Sequence, residues 1–245
     1  MSNRSFIGLA DCYLAPYATA GAARFLGSLS QLQLQYDEEQ KEQRNYGREG
    51  GLLNATARVN KIAVNATFQS ISKANLALAL RAAATDEVGG TVTDEPHTAY
   101  PDALVRTAHP NPTAVVVTDD AGAVTYDEGD DYRVTGAGIV PVAGGDIGSA
   151  AAIKVSYSYG AYERVEALTE SQQDWTLNFD GLNEAEGGQN VVADLWRLRF
   201  GGVQSFDLIG DEYINLQLTG FLLRDPNQTG TGVSKFFRWL YPAAA

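Results

Sequence analysis

The sequence predicts a mainly β protein with one flanking helix and a small β module inserted part-way along. Three observations carry that prediction. Stretches near both ends alternate apolar and polar residues with period 2, and one run has helical spacing. The middle of the chain is a series of short apolar runs separated by turn residues.

Residues 1–27 are rich in Ala, Gly and aromatics without clear period, which predicts an extended, irregular arm ordered by packing on something else. Gln31 to Tyr36 then sets Leu32, Leu34 and Tyr36 on one parity against three glutamines. Lys61 to Gln69 does the same with Ile62, Val64, Ala66 and Phe68. Each reads as a strand with one buried and one wetted side. Asp37 to Gly51 lies between them, too long and too polar for a hairpin turn of about two to five residues. It is expected to be a flexible charged arm.

Ser72 to Ala84 opens with a good N-cap, and Leu76, Ala79, Leu80 and Ala83 follow helical spacing, so a helix is predicted to cover the sheet's apolar face. Thr85 to about His109, with Gly89-Gly90, prolines and acids, reads as a linker or long loop. Strands are predicted at Ala114–Val117, Val124–Tyr126, Tyr132–Val134 and Ala152–Tyr159, with turns at Asp119–Gly122 and Asp127–Asp131. Longer strands return with Trp175, Leu177 and Phe179, then Val192, Trp196, Leu198 and Phe200 on one face. Ile214, Leu216, Leu218 and Leu222 form the next stripe, and Phe236 to Tyr241 the last strand. Residues 1–84 and 164–245 thus read as one antiparallel sandwich or barrel-like domain, with 85–163 an inserted Ig-like or extended-hairpin module.

Composition narrows the function classes. A formal charge of -12 disfavours a nucleic-acid binder that relies on phosphate contacts. The single cysteine, Cys12, reads as a small buried apolar side chain. No apolar run reaches the length of a membrane span. His97 and His109 sit in Pro-rich context and read as surface loop residues outside any metal-ligand spacing. Asp127 to Asp131 lacks the spacing of a calcium loop and reads as a solvated turn. Gly136-Ala-Gly138 breaks at Pro141 where a dinucleotide fingerprint needs a small residue. No nucleophile paired with a base appears, so no enzyme, cofactor or metal site is expected. In the charged arm, Lys41, Arg44 and Arg48 are interspersed with Asp37, Glu38, Glu39, Glu42 and Glu49, and Tyr46 is an aromatic anchor.

The run from Leu32 through the charged arm, the strand Ile62–Phe68 and the helix resembles the opening of tail tube proteins (major tail proteins) of long-tailed, non-contractile bacteriophages. Phe206 to Asp225 resembles that family's penultimate strand and its lead-in. Tyr126 to Tyr132 followed by Val155 to Tyr159 is similar to hairpins inserted in many of its members. The resemblance implies a tail tube fold whose copies close into hexameric rings, which stack into a tube around an acidic lumen that conducts DNA during ejection without binding it specifically. It implies homo-oligomers, tape measure and tail terminator proteins as partners, no membrane insertion, no cofactor, and a virion tail assembled in the bacterial cytoplasm. By position, the arm carrying Asp37, Glu38, Glu39, Lys41, Glu42, Arg44, Tyr46, Arg48 and Glu49 would reach the adjacent ring. Two further readings are a secretion-system tube protein of related fold, and a carbohydrate-binding or adhesin module using Trp175, Trp196 or Trp239.

Overall fold

The computed structural model describes residues 5–17, 19, 23–203, 205–211 and 213–242; residues 1–4, 18 and 20–22 of the expected N-terminal arm lie outside the described residues. In chain order the elements are β1 (Gly8–Pro16), β2 (Arg24–Phe25), β3 (Leu29–Arg44), β4 (Leu52–Phe68) and the helix α1 (Lys73–Leu80). Then come β5 (Ala83–Glu87), β6 (Gly90–Ala99), β7 (Val105–Arg106), β8 (Thr113–Asp119), β9 (Thr125–Tyr126), β10 (Tyr132–Thr135) and β11 (Gly138–Pro141). The series ends with β12 (Ala151–Tyr159), β13 (Tyr162–Glu166), β14 (Asp174–Asn183), β15 (Gln189–Phe200), β16 (Leu216–Leu222) and β17 (Phe237–Leu240). The chain is mainly β, with several antiparallel sheets and, among the described residues, one α-helix. It divides into two units, residues 1–84 with 165–245, and residues 85–164.

In the first unit one antiparallel sheet runs β2-β1-β14-β15-β16-β4-β3, with β17 also on β15. Its buried face gathers Cys12 and Leu14, Ile62 to Phe68 at alternate positions, Leu177, Leu195, Leu198, Phe200, Leu216 and Leu218, with Ala79 of α1 against them. β16 keeps strict alternation, buried at Leu216, Leu218, Gly220 and Leu222. β15 does not. Its pairing with β14 slips between Trp175 and Leu177, so the buried set shifts from Val191, Ala193 and Leu195 to Leu198 and Phe200. The expected single face through Val192 and Trp196 is therefore corrected: an extra residue at a bulge turns side chains over. At that bulge β15 changes neighbour. Val192 to Leu195 pair with β17, Leu198 to Phe200 with β16, and the Trp196 N–H donates to Phe236 O at 3.0 Å.

The irregular N-terminal arm is also corrected for the described residues. β1 is an inner strand, paired with β14 from Gly8 to Pro16. Its alternation was masked because Leu9 and Tyr13, on the wetted parity, are apolar too. Buried Asn183 ties the start down, accepting from the Ile7 N–H at 3.0 Å and donating to Ser5 O at 2.9 Å. Ser72 caps α1 as expected, accepting from the Asn75 N–H at 3.2 Å. The helix is shorter than predicted, because Arg81 adopts a left-handed conformation (φ 50°) and Ala83 already begins β5.

In the second unit a sheet β6-β12-β8-β9 and a sheet β10-β11-β7 enclose Val117, Tyr132, Ile139, Ile147, Ile153, Val155 and Tyr157. The predicted linker from Thr85 to His109 instead supplies β6 and β7. Its Pro96 fits because β6 is an edge strand, where a missing N–H costs no ladder bond. Gly138 is required at its place: a Cβ there would stand 2.1 Å from Val105 O on the neighbouring strand.

Candidate interaction surface

The residues expected to form a loose arm form a hydrogen-bonded hairpin. β3 and β4 stay paired beyond the body of the sheet, from Asp37 opposite Lys61 to Arg44 opposite Leu52. β16 pairs with β4 only over Ala63 to Phe68, so the distal part is two strands and nothing more. The turn closes with the Asn45 N–H on Gly51 O (2.8 Å) and the Gly47 N–H on Asn45 Oδ1 (2.8 Å), and Gly50 and Gly51 take positive φ. Asp37, Glu38, Glu39, Lys41, Glu42 and Arg44 all lie on the outer strand; Tyr46, Arg48 and Glu49 lie at the tip. The sequence hid this because both faces are wetted, which erases the apolar period that marks a strand.

Eight residues of extended chain carry the tip about 27 Å beyond Tyr36. Every residue from Asp37 to Arg44 and from Leu52 to Lys61 is exposed, and Tyr46 is 94% exposed. Leu52, Leu53 and Val59 are exposed as well. The two faces differ. Glu38, Gln40 and Glu42 stand opposite Val59, Ala57 and Ala55, an acidic and apolar face. Glu39, Lys41 and Gln43 stand opposite Arg58, Thr56 and Asn54, a polar face with excess positive charge. The ion pairs of the hairpin, Lys41–Glu39 at 3.7 Å and Lys61–Asp37 at 3.9 Å on the polar face and Arg44–Glu42 at 3.6 Å on the acidic one, are solvent-exposed and worth about 0–1 kcal/mol each. A two-stranded ribbon without a covering layer is marginal by itself.

Two further features lie beside it. β3 ends the sheet, so among the described residues nothing pairs with its outer backbone edge, whereas the opposite edge, β2, is only two residues long. The irregular segment before β16 exposes Leu208, Ile209 and Tyr213, at 76%, 96% and 97%.

Several of the residues weighed for chemistry have partners within the chain, although among the described residues His97 Nε2 and Trp196 Nε1 are buried without a hydrogen bond. His97 lies on β6 with Nε2 3.0 Å from Glu95 Oε1, and His109 stacks on Tyr159 at 3.7 Å with Nδ1 3.0 Å from Tyr162 Oη. Neither is the loose surface residue expected. Tyr157 Oη donates to Glu95 Oε2 at 2.6 Å, and burial first, then that bond, push its pKa to about 12. The Asp131 carboxylate accepts the N–H groups of Asp146 (2.7 Å) and Asp127 (2.8 Å), which hold its pKa below the usual range and make it a turn staple. Trp175 and Trp239 share the parity of the core residues opposite them, Leu198 and Ala193, with Trp239 exposed, while Trp196 lies in the bulge under Arg238. The three indoles do not all lie on one face. No described helix is long and apolar enough to cross a membrane.

A family model described as "Protein of unknown function UCP028589" matches residues 5–240. No curated protein matches the chain.

Proposed function

We propose that this chain, which belongs to the family described as proteins of unknown function UCP028589, is the structural subunit of a phage tail tube. Copies close into hexameric rings, and the rings stack into a hollow tube that conducts DNA. The observation that carries this reading is the hairpin: a preformed two-stranded arm, exposed on both faces, continuing a strand whose outer edge pairs with nothing among the described residues. Open edges and bare ribbons are aggregation hazards in a monomer and joints in an assembly. On this reading the edge of β3 is completed by the neighbour in the ring and the hairpin by the next ring. Tape measure and terminator proteins would cap and gauge the stack in a virion tail. The excess of acids keeps passing DNA from adhering.

The arm is a preformed hairpin rather than the flexible segment expected, so docking carries little ordering cost. Assembly is then limited by pairing edges, not by folding an arm. Sedimentation velocity and electron microscopy of the purified chain over a wide concentration range test the proposal. Rings or tubes are expected, and a monomer at every concentration would overturn it.

A further inference from the structure

Beside α1 lies a cleft of about 510 Å³, within the size range of ligand-binding clefts. Three cations line it, Arg24, Lys73 and Arg81, against one acid, Glu170; Trp175 and Phe200 lie among its apolar walls with a series of alanines. In a chain of net charge -12 this is a local inversion of sign. The guanidinium of Arg24 is held in place, Nη1 donating to Asn75 Oδ1 at 2.7 Å and Nη2 to Ala74 O at 3.3 Å, and burial lowers its pKa. Among the described residues Arg81 Nε is buried and meets no acceptor. That nitrogen lies on the Gly202 side of the residue, away from the cleft lining, while the Arg81 side chain itself adds a positive charge to the cleft wall.

The complementary surface is on the same sequence. The acidic face of the hairpin sets Glu38 and Glu42, the latter 3.6 Å from exposed Arg44, beside Ala55, Ala57 and Val59, small apolar residues flanked by carboxylates. None of the hairpin's residues lines the cleft of its own chain. We infer that the cleft receives the acidic face of the hairpin from a second copy of this chain, with Glu38 and Glu42 reaching Arg81 and Lys73 while the alanines meet its apolar walls. The inference rests on the assembly reading above and names the joint.

Three full-length variants test it by sedimentation velocity and electron microscopy, with circular dichroism reporting the fold. E38K/E42K and K73E/R81E are each expected to self-associate at least about tenfold more weakly, a loss of about 1.4 kcal/mol. The quadruple variant, carrying both reversals, is expected to recover assembly, which no merely structural role of these residues would produce. Should R81E disturb the end of α1, the pair K73E and E42K, alone and combined, gives the same readout. Wild type that assembles while the folded cleft variant assembles equally well, or a folded quadruple variant without recovery, overturns the joint alone. Wild type that never assembles overturns the assembly reading, and the joint with it.

Discussion

Asp37 faces Lys61 across β3 and β4, at the rung where the buried sheet gives way to the bare hairpin. One step inward Ile62 is buried in the core; one step outward nothing covers either strand. Below that rung residues answer to packing, and above it to whatever the hairpin meets.

Tyr46 separates the two regimes at a single residue. It is almost fully exposed at the hairpin tip, so Tyr46→Ala should leave the unfolding free energy of the dissociated chain within the small range of surface substitutions, about ±0.5 kcal/mol. The same change should weaken self-association, since aromatic anchors dominate contact energies. Calorimetry beside sedimentation checks both halves.

Buried Asn75 should behave in the opposite way. Its amide donates to Leu26 O at 2.7 Å and to Ser70 O at 2.9 Å and accepts from Arg24. Asn75→Ala strands those partners, at about 1–3 kcal/mol for each group left buried and unpaired. A clear drop in the urea midpoint is expected, and none would show that water replaces the amide.

Acid should unfold the first unit through Asp174 and Asp225. Burial raises the pKa of each. For Asp174 that is outweighed by Arg199 and Arg197 (Nε at 2.5 and 2.6 Å), and for Asp225 by Tyr17 Oη at 2.6 Å and neighbouring donors. Both carboxyls therefore titrate below the unfolded value of about 3.9. Their contribution is complete above that pH and is lost as pH falls through the lower folded values. Asp174→Asn should reduce stability at neutral pH and flatten the slope below about pH 4, measured by denaturation at several pH values.

Cys12 is buried on β1, and burial, with Asp11 adding to it, raises its pKa to about 11. At neutral pH the native thiol should resist alkylation, becoming reactive only on unfolding. Rapid labelling of the native chain, followed by mass spectrometry, would show that β1 leaves the sheet.

Where one side of an element is buried, its residue pattern was enough. Ile62 to Phe68, Leu216 to Leu222 and the Ser72 cap could be read directly, because the core imposes period 2 on a strand and the cap chemistry is local. The bulge at Trp196, the inner place of β1 and the edge strand through Pro96 depended on neighbours distant in sequence. So did the hairpin. Its residues were singled out from charge and aromatic content, but with both faces in water no alternation announces a strand, and only pairing across the turn reveals one. The cationic cleft has no sequence signature at all, since Arg24, Lys73, Arg81 and Trp175 become neighbours only when β2, α1 and β14 close around one core.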